Sequence, residues 1–340
     1  MNRPLSLAVL SALCAASAPL MGSLPAAAQA AACKPLNQIA AIKLTKNDAG
    51  QWTLPVGFNT TPSTMLLSLS SANSSISPSG ADAAKLAHMI KSGEKLVPST
   101  GKGPEFVQMD AFVMIGITPT ASGKFTNNVQ FPISSRIPTG KLADNMGGVM
   151  GLDTLTNFDF DIDPVAGQLN LFLVDHCEGQ VVYWKTSAAV AAPFNWDIMN
   201  KMRVPVKLDD QDIRITFDTT SDVNKMTLAN AHSLLKFDEK AAGVEKLPDD
   251  ENGGQVWRTH FKVLSIGGLG IGNPAVEIVQ PKFVPNTAAA AGGGGRGPAI
   301  QRTPEERKPA ELSIGLATMS KLHIYVAAKE KNLYISPASQ

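Results

Sequence analysis

The feature of this sequence that most constrains its fold is an internal repeat. Leu54-Pro55-Val56 and Val204-Pro205-Val206 have residue numbers that differ by 150. With the same offset, Met65-Leu66-Leu67 corresponds to Ile215-Thr216-Phe217. Self-similarity of this kind indicates that one supersecondary unit is used more than once. The sequence therefore predicts two halves with the same order of elements.

Each copy also contains a later run of small and apolar residues around one glycine. The first is Val149-Met150-Gly151-Leu152 and the second is Ser313-Ile314-Gly315-Leu316, at an offset of 164. The second copy is thus about fourteen residues longer. The segment 282–310 accounts for this length, because it is rich in Ala, Gly, Pro and charged residues, a composition typical of flexible surface segments.

The residue pattern favours an all-β protein with short helices. The helices are predicted over 80–90 and 229–235, and a hairpin is predicted over 158–172. Short runs rich in Val, Ile, Thr and Ser end at Gly, Pro, Asn or Asp, and Ile213–Phe217 alternates apolar and polar side chains as a half-buried strand does. Apolar residues make up 44% of the 340, which is enough for sizeable cores. The formal net charge is only +1, so nucleic acid is not expected as a partner.

The first thirty residues have the character of a secretion signal. Arg3 is followed by the apolar stretch 5–20, and Ala28-Gln29-Ala30 fits a cleavage site. The apolar stretch is shorter than a bilayer span, and no later stretch is long enough to cross a membrane. We therefore expect a periplasmic or secreted protein without a membrane span.

Two cysteines, Cys33 and Cys177, remain beyond the signal segment. An even number of cysteines in an oxidising compartment favours a disulfide, which would tie the start of the mature chain to the end of the first repeat. Two alternatives stay open from the sequence: free thiols, or lipidation of Cys33, which follows the small residues 30–32.

The repeat is asymmetric at its most polar turn. Strand-like Ile213–Phe217 leads into Asp218-Thr219-Thr220-Ser221, whereas the first copy has Ser68-Leu69-Ser70-Ser71 at the corresponding positions. The order of a strand, a turn, a second strand, this loop and the later glycine run resembles the pepsin and retropepsin family of aspartic proteases. The resemblance covers roughly residues 50–338, apart from the connector and the insert.

The resemblance implies two acid-protease barrels and a cleft between them, with one catalytic aspartate from each lobe. Two close carboxyl groups share a proton, so that one acts as general base and the other as hydrogen-bond donor. Asp218 and Thr219 match this pattern, but Ser68 stands at the other aspartate position. Ser70 and Thr220 stand where the family has glycine. We therefore expect a pseudoprotease.

The expected ligand is a peptide or protein bound in the cleft, next to Ser70, Ser71, Thr220 and Ser221. Gly253-Gly254 is either a flap tip over this ligand or an ordinary hairpin turn. No cofactor motif is present: the glycine-rich stretch 267–272 lacks the helix and acidic residue of a dinucleotide site. The five histidines have no metal-ligand spacing, so no metal is expected.

The predicted organisation is a signal peptide (1–30), an N-terminal lobe (31–175), a packed connector (176–201) and a C-terminal lobe (202–338). A monomer is expected in preference to a homodimer. Two other functions remain open. One is an active endopeptidase that pairs Asp218 with Asp153 or Asp222, or with Asp218 of a second copy. The other is a structural envelope protein.

Overall fold

A computed structural model describes most of the chain beyond residue 32. The described residues are 33–101, 103–116, 122–134, 136–137, 140–197, 199–282 and 311–338. The predicted signal peptide at 1–30 and the insert from residue 283 to 310 lie outside them. The described part is mostly β-structure with short helices, as expected. The predicted lobe and connector boundaries remain predictions.

A six-stranded sheet contains strands from widely separated parts of the sequence. Its strands are β1 (Gln38–Lys43), β13 (Asp159–Asp163), β14 (Gln168–Phe172), β15 (Val190–Pro193), β26 (Leu322–Ala327) and β27 (Asn332–Pro337). Their spatial order is β1-β14-β13-β26-β27-β15. We call it the central sheet. The first and second repeats join where Phe160 lies opposite Val326 in antiparallel register.

The remainder of the first repeat forms a nine-stranded sheet in the described residues. Its strands are β2 (Thr45–Lys46), β3 (Trp52–Phe58), β4 (Thr61–Leu67), β5 (Ser75–Ile76), β6 (Met89–Ser92), β7 (Lys95–Pro98), β8 (Glu105–Ile115), β9 (Ser122–Pro132) and β12 (Gly148–Met150). A separate ribbon pairs β10 (Arg136–Ile137) with β11 (Gly140–Lys141).

The second repeat forms a ten-stranded sheet in the part of the chain that is described. Its strands are β16 (Asn195–Trp196), β17 (Met202–Leu208), β18 (Gln211–Phe217), β19 (Asn224–Thr227), β20 (Glu245–Leu247), β21 (Gln255–His260), β22 (Val263–Ile266), β23 (Leu269–Gly272), β24 (Ala275–Gln280) and β25 (Leu312–Ile314).

The helices are short and lie next to strand ends. They are α1 (Pro78–Ala83), α2 (Leu152–Leu155), α3 (Leu228–Leu235) and α4 (Leu316–Met319). Helix α3 confirms the prediction for 229–235. The predicted helix over 80–90 is wrong beyond Ala83, because Lys85 takes a left-handed conformation (φ 53°) and Met89–Ser92 pairs with other strands.

Alternation along the central strands separates two apolar layers. Phe160, Ile162 and Ile324 belong to the large core, which also contains residues of both outer sheets. Tyr325, with Phe172 and Val181, belongs to a second cluster on the other side. Side chains of neighbouring strand residues point to opposite faces, so these two clusters lie on opposite faces of the central sheet. Val181, from the segment 176–201, belongs to this second cluster.

Candidate functional site

The loop that follows strand β4 is held by a parallel neighbour and by helix α2. The Ser68 amide donates to the Met150 carbonyl (2.9 Å), and the Leu152 amide donates to the Ser71 carbonyl (3.0 Å). The Gly151 amide donates to Ser74 Oγ (2.9 Å). A Cβ on Gly151 would lie 2.6 Å from the Asn73 carbonyl carbon, so only glycine lets the chain segments approach this closely.

The loop that follows strand β18 has the same supports. The Asp218 amide donates to the Ile314 carbonyl (2.8 Å), and the Leu316 amide donates to the Ser221 carbonyl (2.9 Å). The Gly315 amide donates to Asn224 Oδ1 (3.0 Å). A Cβ on Gly315 would lie 2.4 Å from the Val223 carbonyl oxygen. Both loops are therefore fixed by short backbone contacts.

Asp218 is 7% exposed, and one of its carboxylate oxygens receives three hydrogen bonds. Ser70 Oγ donates to Asp218 Oδ1 at 2.8 Å across the two repeats. The Thr220 amide (3.0 Å) and the Thr220 hydroxyl (2.6 Å) donate to the same oxygen. Hydrogen bonds to an ionised acceptor are stronger than those between neutral groups. The two positions predicted to replace glycines thus supply hydroxyl groups to the aspartate.

Thr219 links the two loops through a single buried hydroxyl. Its Oγ1 donates to the Leu67 carbonyl (2.5 Å) and accepts from the Leu69 amide (3.1 Å). Leu69 has no hydroxyl to make the reciprocal contact. Gln51 of the first repeat forms a second link to the loop 218–221, because its Nε2 donates to the Thr220 carbonyl (2.7 Å). The structure therefore brings the two predicted loops together.

Ser68, Ser71 and Ser221 make contacts within their own loops. Ser68 is fully buried, and its hydroxyl donates to Ser71 Oγ (2.8 Å) and accepts from the Ser71 amide (3.0 Å). Ser68 Oγ also lies 3.3 Å from Ser70 Oγ. Ser221 Oγ donates to the Val223 carbonyl (3.1 Å). The hydrogen bonds of these hydroxyl groups therefore mainly stabilise the loops that carry them.

Gly253 and Gly254 lie in the turn between β20 and β21, which is closed by Asp250. Asp250 Oδ1 accepts from the Gly254 amide at 2.7 Å, and Gly253 has a φ of 76°. A Cβ on Gly254 would lie 2.6 Å from Asp250 Oδ2. These contacts explain both glycines as requirements of a tight turn.

The other carboxylates proposed as partners of Asp218 have different surroundings. Asp153 Oδ1 accepts from the amide (2.8 Å) and hydroxyl (2.6 Å) of Ser74 and from the Thr154 amide (2.8 Å). Asp222 is exposed, and its carbonyl accepts from the Ala317 amide (2.9 Å). In the described residues, the hydrogen bonds of Asp218 side-chain oxygens come from Ser70 and Thr220.

The predicted disulfide is confirmed. Cys33 and Cys177 are joined with an S–S distance of 2.01 Å across 144 positions. The free-thiol and lipidation alternatives for Cys33 are therefore wrong. Structural disulfides are typical of oxidising compartments, which fits a secreted protein. In the part of the chain that is described, no helix is long and apolar enough to cross a membrane.

Sequence reasoning missed a buried polar network on the face of the central sheet opposite the large core. His176 Nε2 lies 2.5 Å from Asp159 Oδ2, and the Ala328 amide donates to Asp159 Oδ1 (2.9 Å). His323 Nε2 lies 2.7 Å from Asp161 Oδ1, though not in hydrogen-bonding geometry. The signal was in the sequence, because three aspartates alternate with Phe160 and Ile162 along one strand.

Aromatic side chains close this network. The Tyr183 hydroxyl donates to Asp161 Oδ2, and the side-chain Nδ2 of Asn170 donates to the same oxygen at 3.0 Å. The Trp184 ring stacks on His323 with a centroid distance of 4.1 Å. Burial raises the pKa of Tyr183 above its ordinary value, and the charge of Asp161 raises it further, so the phenol stays a neutral donor. The connector is thereby attached to both repeats.

The Asp159–His176 pair has shifted acidities. Burial raises the pKa of Asp159, although its hydrogen bond with His176 opposes this. Burial by itself lowers the pKa of His176, but its hydrogen bond with Asp159 and the charges of Asp159 and Glu330 outweigh this and raise it. The network thus favours states that retain protons. Among the described residues, no group of three or more His, Cys, Asp or Glu is arranged to hold a metal.

Comparison with known proteins gives neither a family nor a curated relative. No family model matches the chain, and no curated protein matches it. Among solved structures, the chain is similar to basic 7S globulin from soybean, with 9% identity, a TM-score of 0.47 and coverage of 89% of this chain and 96% of that one. It is also similar to conglutin gamma from lupine seeds, with 10% identity, a TM-score of 0.47 and coverage of 89% and 95%.

These comparisons correct one prediction from the sequence. Membership of the pepsin and retropepsin family is wrong, because no family model matches and the similar solved structures are seed 7S globulins. The motifs that suggested it are short, and each is explained by local requirements of the loops. Gly151 and Gly315, for example, are needed for close backbone approach whatever the loops do chemically.

Proposed function

We propose that this protein is a secreted binding protein without peptidase activity, built of two lobes related by internal duplication. Its ligand is a peptide or protein that binds in the groove between the lobes, near the loops 68–71 and 218–221. One observation carries the proposal: the hydroxyl groups of Ser70 and Thr220 both donate hydrogen bonds to the same oxygen of Asp218.

These hydroxyl contacts argue against hydrolysis. A carboxylate that acts as general base needs a water molecule within hydrogen-bond reach and a second group that polarises the carbonyl. Asp218 Oδ1 already receives three donors, and the corresponding position in the first repeat is the neutral Ser68. Asp218 serves as an acceptor that holds the two loops together.

Matching contacts in the two repeats support the duplication. Ser74 Oγ receives the Gly151 amide and lies 2.7 Å from Thr154 Oγ1. In the second repeat, Asn224 Oδ1 receives the Gly315 amide, and Asn224 Nδ2 donates to Thr318 Oγ1 at 2.9 Å. The paired positions keep the offsets of 150 and 164 that the sequence has.

An extended peptide is the expected ligand because the sheets end in short strands. Strand β20 lies at one end of the ten-stranded sheet as described and pairs with β21 on one side. A peptide that adds alongside such a strand gains backbone hydrogen bonds, and side-chain pockets then give specificity. The turn at Gly253 and Gly254 belongs to the same hairpin.

The absence of peptidase activity is tested with denatured casein between about pH 3 and 7, the range in which carboxyl groups of raised or ordinary pKa titrate. We expect no cleavage by the wild type, by Asp218→Asn or by Asp110→Asn. Asp110 is an exposed control on strand β8. Cleavage that Asp110→Asn retains and Asp218→Asn loses would overturn the proposal.

Binding in the groove is tested by hydrogen exchange with peptides from a tryptic digest of casein as the probe. We expect slower exchange of the amides in 68–71 and 218–221. Protection confined to other parts of the chain, or no protection at any peptide concentration tested, contradicts binding at these loops.

A further inference from the structure

A cavity of about 390 Å³ lies between helix α2, the connector and the β26–β27 turn. Its apolar wall includes Leu152, Val174 and Trp196, and its polar wall includes Asp153, Asn157 and Lys329. Cavities of a few hundred Å³ with apolar walls and a few polar groups are typical of small-ligand sites. None of these residues contributes to the contacts of Asp218.

The two charged groups of the cavity differ in how they are held. Asp153 Oδ1 is fixed by the amide and hydroxyl of Ser74 and by the Thr154 amide, so this carboxylate is oriented before any ligand binds. Lys329 is exposed, and it forms no ion pair with any described residue. An oriented charge loses little conformational freedom on binding, which favours affinity.

The turn that carries Lys329 is itself anchored. The neighbouring Ala328 amide donates to Asp159 Oδ1 (2.9 Å), and the Lys331 carbonyl accepts from the Phe194 amide (2.9 Å). Trp196 packs edge-on against Phe194 with a centroid distance of 4.9 Å. The wall positions are therefore defined by the surrounding sheets.

We infer that this cavity binds a small zwitterion with an apolar body, namely a free apolar amino acid or an apolar dipeptide. The ligand's ammonium group pairs with Asp153, its carboxylate pairs with Lys329, and its side chain lies against Leu152, Val174 and Trp196. The volume equals that of about 13 water molecules at roughly 30 Å³ each, which suits a ligand of about a dozen or more non-hydrogen atoms.

Titration calorimetry of the full mature chain tests this inference. The probes are L-phenylalanine and the dipeptide Leu-Leu, which distinguish the two ligand sizes. The comparison ligands are 3-phenylpropionate, which lacks the ammonium group, and phenylalaninol, which lacks the carboxylate. We expect at least one zwitterion to bind about tenfold or more tightly than both comparison ligands, because each loses one charge-assisted hydrogen bond.

Variants assign the binding to this cavity. Lys329→Gln and Asp153→Asn should each weaken binding of the zwitterion about tenfold, and Asn at 153 retains an acceptor for Ser74. Lys95→Gln and Asp110→Asn, at exposed positions in other strands, should leave the affinity unchanged. Val174→Trp should abolish binding by filling the cavity, with the fold checked by circular dichroism.

Three outcomes overturn the inference. The first is no binding of either zwitterion up to its solubility limit. The second is equal binding of the zwitterions and the singly charged comparison ligands. The third is zwitterion binding that Lys329→Gln, Asp153→Asn and Val174→Trp leave intact. These outcomes are distinguishable from a failure of the proposed function, because the variants change Asp153, Lys329 and Val174, whereas the contacts of Asp218 come from Ser70 and Thr220.

Discussion

His176 Nε2 lies 2.5 Å from Asp159 Oδ2, and both side chains are almost completely buried. Asp159 comes from the first repeat, His176 from the connector, and Glu330 Oε1 lies 3.7 Å from the other imidazole nitrogen. Tyr325, which packs on the same face, places its hydroxyl 3.5 Å from Asp159 Oδ2. A buried imidazole surrounded by carboxylates is most stable when it carries a proton.

The stability of the fold should therefore decrease as the pH rises past neutrality. The pKa of His176 is raised above its ordinary 6.5, so its contribution is complete below that pH and is lost as the pH rises through the raised value. The raised pKa of Asp159 has the same sign, with the loss beginning above its ordinary 3.8. The free energy of unfolding changes by at most about 1.4 kcal/mol per pH unit for each proton that the folded state binds in excess of the unfolded state.

Urea unfolding at a series of pH values measures this dependence. We expect the decline in the free energy of unfolding above pH 6.5 to be smaller in His176→Gln than in the wild type, because glutamine does not titrate. His260→Gln, at an exposed strand end, is the matched control and should retain the wild-type profile. Parallel profiles for the wild type and His176→Gln would show that His176 does not cause the decline.

Thr219 and Thr216 are expected to respond in opposite ways to the same substitution. Thr219→Val removes the hydroxyl that serves the Leu67 carbonyl and the Leu69 amide, and should cost about 2–4 kcal/mol because buried groups lose their partners. Thr216 Oγ1 is buried without a partner in the described residues, so Thr216→Val should be neutral or stabilising. Chemical denaturation of both variants measures the difference; equal costs would contradict the importance of the Thr219 link.

Gly315 and Gly272 provide a second contrasting pair. Gly315→Ala should destabilise the fold by about 1–3 kcal/mol or more, because the new Cβ would lie 2.4 Å from the Val223 carbonyl oxygen. Gly272→Ala meets nothing within 4 Å and should be neutral or slightly stabilising, since alanine restricts the unfolded chain. Thermal unfolding separates the two cases, and a harmless Gly315→Ala would mean that the loop can move away from this contact.

The disulfide should contribute about 2–5 kcal/mol to stability, because it closes a long loop in the unfolded chain. Cys33→Ser combined with Cys177→Ser should lower the urea midpoint by the corresponding amount. Dithiothreitol should lower the midpoint of the wild type and have no effect on the double variant. An unchanged midpoint in the double variant would mean that the bond adds nothing to the fold.

Local patterns in the sequence predicted the elements better than the contacts between them. Alternation and turn residues identified the strand ending at Phe217 and the hairpin over 158–172, and Ala229–Leu235 was recognised as helical. The prediction of a helix over 80–90 was wrong at its C-terminal end. The apolar residues there have helical spacing, but Met89–Ser92 forms a strand that pairs with β8. Pairing partners distant in sequence are not encoded in local periodicity.

For the candidate site, the sequence repeat predicted only which residues of the two loops correspond to each other. Its offset indicated that Ser68 corresponds to Asp218, and both loops have the same backbone supports. The hydroxyl contacts from Ser70 and Thr220 could not be predicted, because they depend on how two loops 148 positions apart approach one another. The family resemblance rested on short motifs, and motifs of this length are weak indicators of a family because backbone geometry alone accounts for residues such as Gly151 and Gly315.

The arrangement of the central sheet has a consequence for the order in which the protein folds. Strand β1 near the start of the described chain and strands β26 and β27 near its end belong to the same sheet. A polypeptide that is synthesised from its first residue onward cannot complete that sheet until its last strands have emerged. The early strands therefore lack their final partners during that interval, and their unpaired edges are then exposed to aggregation.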